Sequence, residues 1–121
     1  MATITSGAYN AATDTLVVTT TGVETTGSFD LTKLALETPD TDGTGPALTP
    51  GSQVLTGATV SSSTATTLTI VLTAAQATAV EAWNGTTQVI NLNGSTGWHL
   101  DASNNPVLAD ATGNVVTGIQ E

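Results

Sequence analysis

Residues 67–83 read TLTIVLTAAQATAVEAW and place the patterns of a strand and of a helix side by side. Leucine and isoleucine occupy every second position from 68 to 72, which predicts a strand with one face in a core. Thr73 then stands three residues before Gln76, the spacing of a helix capping box. We therefore expect a buried strand that ends at Thr73, followed by one short helix over about residues 74–83.

The remainder of the chain is typical of β-structure. Threonine and valine are abundant, and β-branched side chains suit a pleated, half-buried surface. Residues 2–9 and 15–21 predict a hairpin, and Val115, Thr117 and Ile119 predict a closing strand. With 121 residues, the chain is too short for two cores. We expect one all-β domain over residues 1–121, an antiparallel β-sandwich of about seven to nine strands.

The charge of the chain is strongly acidic. Ten acidic residues stand against a single lysine, Lys33, and no arginine, so the net charge is −9 at pH 7. Neutralising phosphate groups requires Lys and Arg, and the composition therefore predicts no binding to nucleic acid or to anionic membranes. The acidic net charge indicates either selection for solubility or adaptation to a salty or extracellular environment.

The sequence also bears on the compartment. It contains no cysteine, so no disulfide framework is expected. No stretch approaches the roughly 20 apolar residues of a membrane span, and the first ten residues, MATITSGAYN, lack the pattern of a secretory signal. We expect either a chain kept in the cytosol until assembly or a piece of a larger protein with an engineered Met1.

Four segments carry a resemblance to a known family. They read ATITSGAYNAATDTLVVTTTG, FDLTKLAL, TLTIVLTAAQATAVEAWNGTT and WHLDASNNPVLADATGNVVTG, in chain order. Over nearly its whole length the chain resembles a bacterial Ig-like module that occurs as tandem repeats in large, acidic, Lys-poor surface proteins. The resemblance implies an Ig-like sandwich that acts as a passive spacer or adhesive unit. Similar modules also decorate or extend tailed-phage virions.

These observations favour a non-enzymatic structural or interaction protein. A single copy that runs from Met1 to Glu121 favours a stand-alone protein over a tandem repeat. We expect a virion-associated subunit, a capsid decoration or appendage protein made in the host cytoplasm, whose partners are a protein lattice or neighbouring copies in a homo-oligomer. The alternative is one repeat of a secreted adhesin or surface fibre at the bacterial cell surface or outside the cell.

The strand over residues 15–21 is the candidate interaction site. Thr15, Val17, Thr19 and Thr21 alternate along it without any charge. Natural edge strands usually carry Lys or Pro, which prevent pairing with another chain, and neither is present here. We therefore expect these residues to form an edge that docks on a partner.

His99 and the two tryptophans are the residues that an enzyme or a sugar-binding module would use. His99 is the only histidine, and Asp101 follows it at strand spacing, but no nucleophile motif accompanies them. We expect His99 to face solvent or an interface and predict no catalytic residue. Trp83 and Trp98 could stack on sugars in a carbohydrate-binding module, but their spacing favours core packing.

A calcium site is the one metal candidate. Asp40, Asp42 and the following glycine resemble half of a calcium loop, but the glutamate required at its twelfth position is replaced by Gly51. A solvated turn is the preferred interpretation. The alternative is a Ca²⁺ site completed by a distant carboxylate such as Asp101 or Asp110, and no other cofactor is expected.

Overall fold

The computed structural model describes residues 2–38, 51–83, 90–110 and 114–119. Within these residues the chain is mostly β-structure, with one α-helix, which confirms the predicted class. The α-helix α1 spans Ala74–Glu81, and a 3-10 helix spans Leu31–Lys33. The strands are β1 (Thr3–Asn10), β2 (Thr15–Thr21), β3 (Ser28–Phe29), β4 (Leu34–Thr38), β5 (Gly51–Val54), β6 (Thr59–Ser63), β7 (Thr67–Val71), β8 (Asn91–Gly94), β9 (His99–Leu100) and β10 (Val116–Thr117).

The larger sheet has five strands in the order β10-β1-β2-β7-β6. As expected, β1 and β2 form an antiparallel hairpin, and β7 and β6 continue the sheet antiparallel to their neighbours. The pairing of β10 with β1 is parallel, which corrects the purely antiparallel prediction. Gly7 accommodates this pairing, because a side chain there would begin 3.2 Å from Cγ2 of Val116.

Two smaller sheets complete the described structure, a three-stranded sheet in the order β5-β4-β8 and the two-residue pair β3-β9. The larger sheet and the three-stranded sheet each turn one face toward a single hydrophobic cluster, an arrangement consistent with a sandwich. Alternation along the strands explains this, because every second residue must point to the same side. The fully buried strand residues in the cluster are Leu16, Val18, Leu34, Leu36, Leu68, Ile70, Leu92 and Val116.

The capping box predicted at the start of α1 is present. The Thr73 hydroxyl accepts a hydrogen bond from the Gln76 backbone N–H at 3.2 Å, and the Gln76 side-chain oxygen accepts one from the Thr73 N–H at 3.0 Å. The Gln76 amide nitrogen also donates to the carbonyl oxygens of Thr56, at 2.6 Å, and Val54, at 3.3 Å. One buried glutamine therefore caps the helix and fastens it to the segment after β5.

The far end of α1 is fastened to the larger sheet. The Tyr9 hydroxyl donates to a carboxylate oxygen of Glu81 at 2.6 Å. Burial raises the pKa of the Tyr9 hydroxyl above its ordinary range, so this group remains a donor. No helix in the described part of the chain has the length and apolar character that a membrane crossing requires.

The closing strand differs from the prediction in its register. Val116 is fully buried beside β1, whereas Val115 is 41% exposed. The strand ends at Thr117. It is followed by Gly118, whose φ of 90° and close approach to the Tyr9 backbone leave no room for a side chain. The alternating pattern could not decide whether Val115 or Val116 is buried, because either valine can serve as the buried residue.

We expect Gln76→Glu to destabilise the fold by about 2 kcal/mol or more, because it replaces a buried donor with an acceptor that faces two carbonyl oxygens. Thr78→Ala, an exposed change on the same helix, is the control and should alter the free energy of unfolding by less than about 0.5 kcal/mol. Urea unfolding followed by circular dichroism measures both. Equal stabilities of the two variants would contradict the role given to Gln76.

Candidate functional site

The prediction that residues 15–21 form a sheet edge is wrong. The strand β2 lies between β1 and β7 and is hydrogen-bonded on both sides. Its backbone therefore has no free row of donors and acceptors for another chain. The local sequence could not reveal this position, because an uncharged, threonine-rich strand suits the centre of a sheet as well as its edge.

The four residues named for that edge nevertheless share one side of β2. Leu16 and Val18 point into the core, so Thr15, Val17, Thr19 and Thr21 point away from it, and Val17 is 38% exposed. In register beside them stand threonine, valine, alanine, serine and asparagine side chains of the neighbouring strands. We call this surface the outer face; it comprises Thr3, Ser6, Ala8, Asn10, Thr15, Val17, Thr19, Thr21, Thr59, Ser62, Thr67, Thr69 and Val71.

The outer face carries no charge although the protein is strongly acidic. All ten acidic residues and Lys33 lie outside the five strands of the larger sheet. The face presents hydroxyl and methyl groups, and a partner that covers it desolvates no carboxylate of these strands. Because removing an unpaired charge from water is far more costly than covering a hydroxyl, covering this face would cost less free energy than covering a charged surface.

Among the described strands, the long edge of the larger sheet is β6, not β2. At the opposite edge β10 contributes only two residues, whereas β6 contributes five. The first three residues of the polar run SSSTAT, residues 61–66, belong to β6. A shift in register between Val60 and Ser62 leaves Ser61 as an extra residue, a β-bulge.

A pocket of about 320 Å³ lies on another part of the molecule, lined in part by His99 and Asp101. The remaining lining residues are Ala2, Gly22, Glu24, Pro106 and Val107. Trp98 is not one of the lining residues; its side chain is fully buried, and that of Trp83 is buried as well. Neither indole offers a face for stacking on a sugar.

The His99 ring is a structural element of the core, which corrects the expectation that it faces solvent. The side chain is fully buried between Phe29, with ring centroids 4.7 Å apart, and Trp98, at 5.8 Å. Its Nδ1 lies 2.8 Å from the carbonyl oxygen of Ser28, and its Nε2 accepts from the backbone N–H of Glu24 at 3.2 Å. Since a carbonyl can only accept, the proton is on Nδ1. The lone pair that a general base would use is already engaged.

Asp101 is committed to its own turn. One carboxylate oxygen accepts the backbone N–H groups of Ser103 and Asn105, both at 2.9 Å. The Asn105 N–H is the main reason why the pKa of Asp101 lies below its ordinary value. A histidine and an aspartate that both bind backbone groups do not have the hydrogen-bonding arrangement of a catalytic triad.

Of the four calcium candidates, only Asp101 and Asp110 lie within the described residues. Asp40 and Asp42 lie outside the described residues. Asp110 accepts from the Ile4 N–H at 2.9 Å through one oxygen and from the Asn114 side chain at 3.0 Å through the other. Within the described ranges no three acidic or histidine side chains stand close enough together to hold a metal ion.

The sequence did not predict the burial of His99. Residues 98–101 read WHLD, an alternation that predicts Trp98 and Leu100 facing inward and His99 facing outward. Trp98 instead lies in a bend before the two-residue strand β9, so both Trp98 and His99 are buried. The backbone groups that bind the ring come from about 70 positions earlier in the chain. No local sequence signal could have identified them.

Replacing His99 should therefore destabilise the fold. We expect His99→Ala to lower the free energy of unfolding by about 3 kcal/mol, because it leaves a cavity and two backbone groups without their partner. The exposed change Ser103→Ala is the control and should have little effect. A His99→Ala protein as stable as the control in urea would show that the ring is not structural.

The turn at Asp101 should respond to acid. A lowered folded pKa means that the carboxylate contributes stability above its unfolded pKa of about 3.9, and that this contribution is lost as pH falls through the folded value. We therefore expect the difference in melting temperature between the wild-type protein and Asp101→Asn to be more favourable to the wild type at pH 6 than at pH 2.5. Thermal unfolding of both proteins at each pH measures this difference. An advantage that does not depend on pH would contradict this.

The chain was compared with known protein families, curated proteins and solved structures. No family model, curated protein or solved structure that was compared with the chain matches it. The Ig-like resemblance of the four segments and its implied functions therefore remain inferences from the sequence. The described surface has three distinctive features, namely the uncharged outer face, the β6 edge and the pocket beside His99.

Proposed function

We propose that this protein is a non-enzymatic structural subunit that docks on a protein lattice through the outer face of its larger sheet. The observation that carries the proposal is the complete absence of charged side chains from the five strands of that sheet in a chain of net charge −9. Elsewhere the acidic side chains keep copies soluble and apart. Only a surface without them can be covered at little electrostatic cost.

The chemistry of the outer face defines the partner that would fit it. Threonine and serine supply hydroxyl groups that both donate and accept hydrogen bonds, and their methyl groups together with Val17, Val71 and Ala8 supply apolar area. A complementary surface is uncharged and mixed in character, as the non-polar and hydroxyl-rich parts of a protein lattice are. Nucleic acid and anionic lipid do not fit, because the face has no cation for phosphate.

The first candidate setting is a virion, with the protein as a capsid decoration or appendage subunit of Ig-like fold. The sequence resemblance supports the fold, and docking through one face would leave the acidic loops on the outside of the particle. The alternative is one Ig-like repeat of a secreted adhesin or surface fibre, in which the same face would meet a neighbouring repeat. The buried indoles and the engaged His99 ring argue against a carbohydrate-binding module or a hydrolase.

A charge placed on the outer face tests the docking surface. We expect Thr19→Glu to weaken binding at least about tenfold, because the interface would bury a carboxylate without a partner. Ala102→Glu adds the same charge in an exposed turn and should bind as the wild type does. The measurement is co-sedimentation with particles isolated from the source of the chain and depleted of it. Equal binding by both variants would overturn the proposed surface.

The mass of the native polypeptide separates the two settings. A species of 12.0 kDa that co-purifies with particles is expected for a virion subunit. A chain many times longer, anchored at the cell surface or secreted, would instead identify a repeat of an adhesin. Intact-mass spectrometry of material from the natural source makes this distinction without any expression vector.

A further inference from the structure

The edge strand β6 provides hydrogen-bonding groups that no described strand uses. At the two ends of the neighbouring strand pair, β2 and β7, the N–H of Leu72 donates to the carbonyl of Asp14, and the N–H of Thr20 donates to the carbonyl of Thr66. Since backbone groups alternate in direction along an antiparallel strand, the even-numbered residues of β7 face β2 and the odd-numbered residues face β6.

The same alternation fixes the direction of the groups on β6. Thr59 and Ser62 stand opposite odd-numbered residues of β7 and turn their N–H and C=O groups toward it. Val60 and Ser63 stand opposite even-numbered residues, so their N–H and C=O groups point out of the sheet. Within the described residues, no strand pairs with these outward groups, which form the hydrogen-bonding edge of the sheet.

The two outward residues are matched by a second copy of the same strand. In a regular strand such groups recur at every second residue. The bulge at Ser61 places them three residues apart in sequence, over the length that Ile70 and Leu68 span in β7. A second copy of β6 carries the same bulge. In an antiparallel pair related by a two-fold axis, Val60 of each copy meets Ser63 of the other.

We propose that two copies of this protein pair along β6 into a dimer with a continuous ten-stranded sheet. The strand contains no Lys, Pro or acidic residue of the kind that guards sheet edges, and it belongs to the part of this acidic chain that lacks charge. Pairing of two identical surfaces around a two-fold axis is also the commonest way in which proteins form dimers.

The dimer would double the area of the outer face that is available for docking. This step rests on the proposed docking function. Five strands at their usual separation, about five residues long, present roughly 400 Å². A standard protein interface buries about 800 Å² on each partner. Antiparallel pairing keeps both outer faces on the same side, so the dimer would present about 800 Å², enough for stable docking.

The first test is the mass of the protein in solution as a function of concentration. Sedimentation equilibrium up to about 1 mM should show a monomer and a dimer in exchange, since a few backbone hydrogen bonds support only a weak complex. Ser63→Pro removes the outward N–H without touching the β7 ladder and should weaken the dimer at least about tenfold. Ser63→Ala is its control and should leave the dimer unchanged.

A second pair of variants keeps the test decisive even if the proline disturbs the strand. Ser62 projects from the outer face close to the two-fold axis, so Ser62→Lys and Ser62→Glu should each weaken their own dimers by repulsion between copies. A mixture of the two should dimerise more strongly than either alone. A wild-type protein that stays monomeric, or a dimer that none of these changes affects, would overturn the proposal.

The two proposals fail in different ways. Thr19→Glu lies away from β6, and a variant that dimerises but does not bind particles would leave the edge pairing intact while supporting the docking face. Dimerisation of the wild type without any binding to particles would overturn the docking function alone. Full binding by a monomeric Ser63→Pro protein would overturn the link between the dimer and docking.

Discussion

The burial of four aliphatic side chains under the two central strands is the constraint on which the larger sheet depends. Leu16 and Val18 in β2, with Leu68 and Ile70 in β7, are fully inaccessible to solvent. Each contributes about 1.5 to 3 kcal/mol by leaving water, so a slip of one residue in register would exchange the two faces at a large cost. The residues between them are thereby forced outward, and the uncharged outer face is the other side of the core.

Local interactions, between residues close together in the sequence, could be predicted. The strand over Thr67–Val71, the hairpin and the capping box between Thr73 and Gln76 depend on residues a few positions apart, and all three are present. The position of β2 within its sheet could not be predicted, because it depends on which strands arrive from elsewhere in the chain. The burial of His99 and the choice of Val116 over Val115 were missed for the same kind of reason.

A recurring device holds the loops of this protein, which has neither disulfides nor many aromatic residues. Polar side chains bind backbone groups of distant segments: His99 binds two residues around β3, and Gln76 binds the segment after β5. Asn114 donates to the carbonyl of Leu92 and to Asp110, which in turn holds the N–H of Ile4. Each bond adds only about 0.5 to 1.5 kcal/mol, but together they fix loops that the strands alone would leave undetermined.

The parallel pairing of β1 with β10 has a mechanical consequence. β1 and β10, the first and last strands of the described residues, run in the same direction side by side, so tension applied to the start of β1 and the end of β10 pulls them past each other rather than apart. The hydrogen bond from the Gly7 N–H to the Val115 carbonyl joins the two segments and would bear this load. Resistance to force is set by the rate of unfolding rather than by equilibrium stability. Stretching the protein along β1 and β10 would therefore load their hydrogen bonds in shear, so that the bonds between the two strands resist together instead of opening one after another.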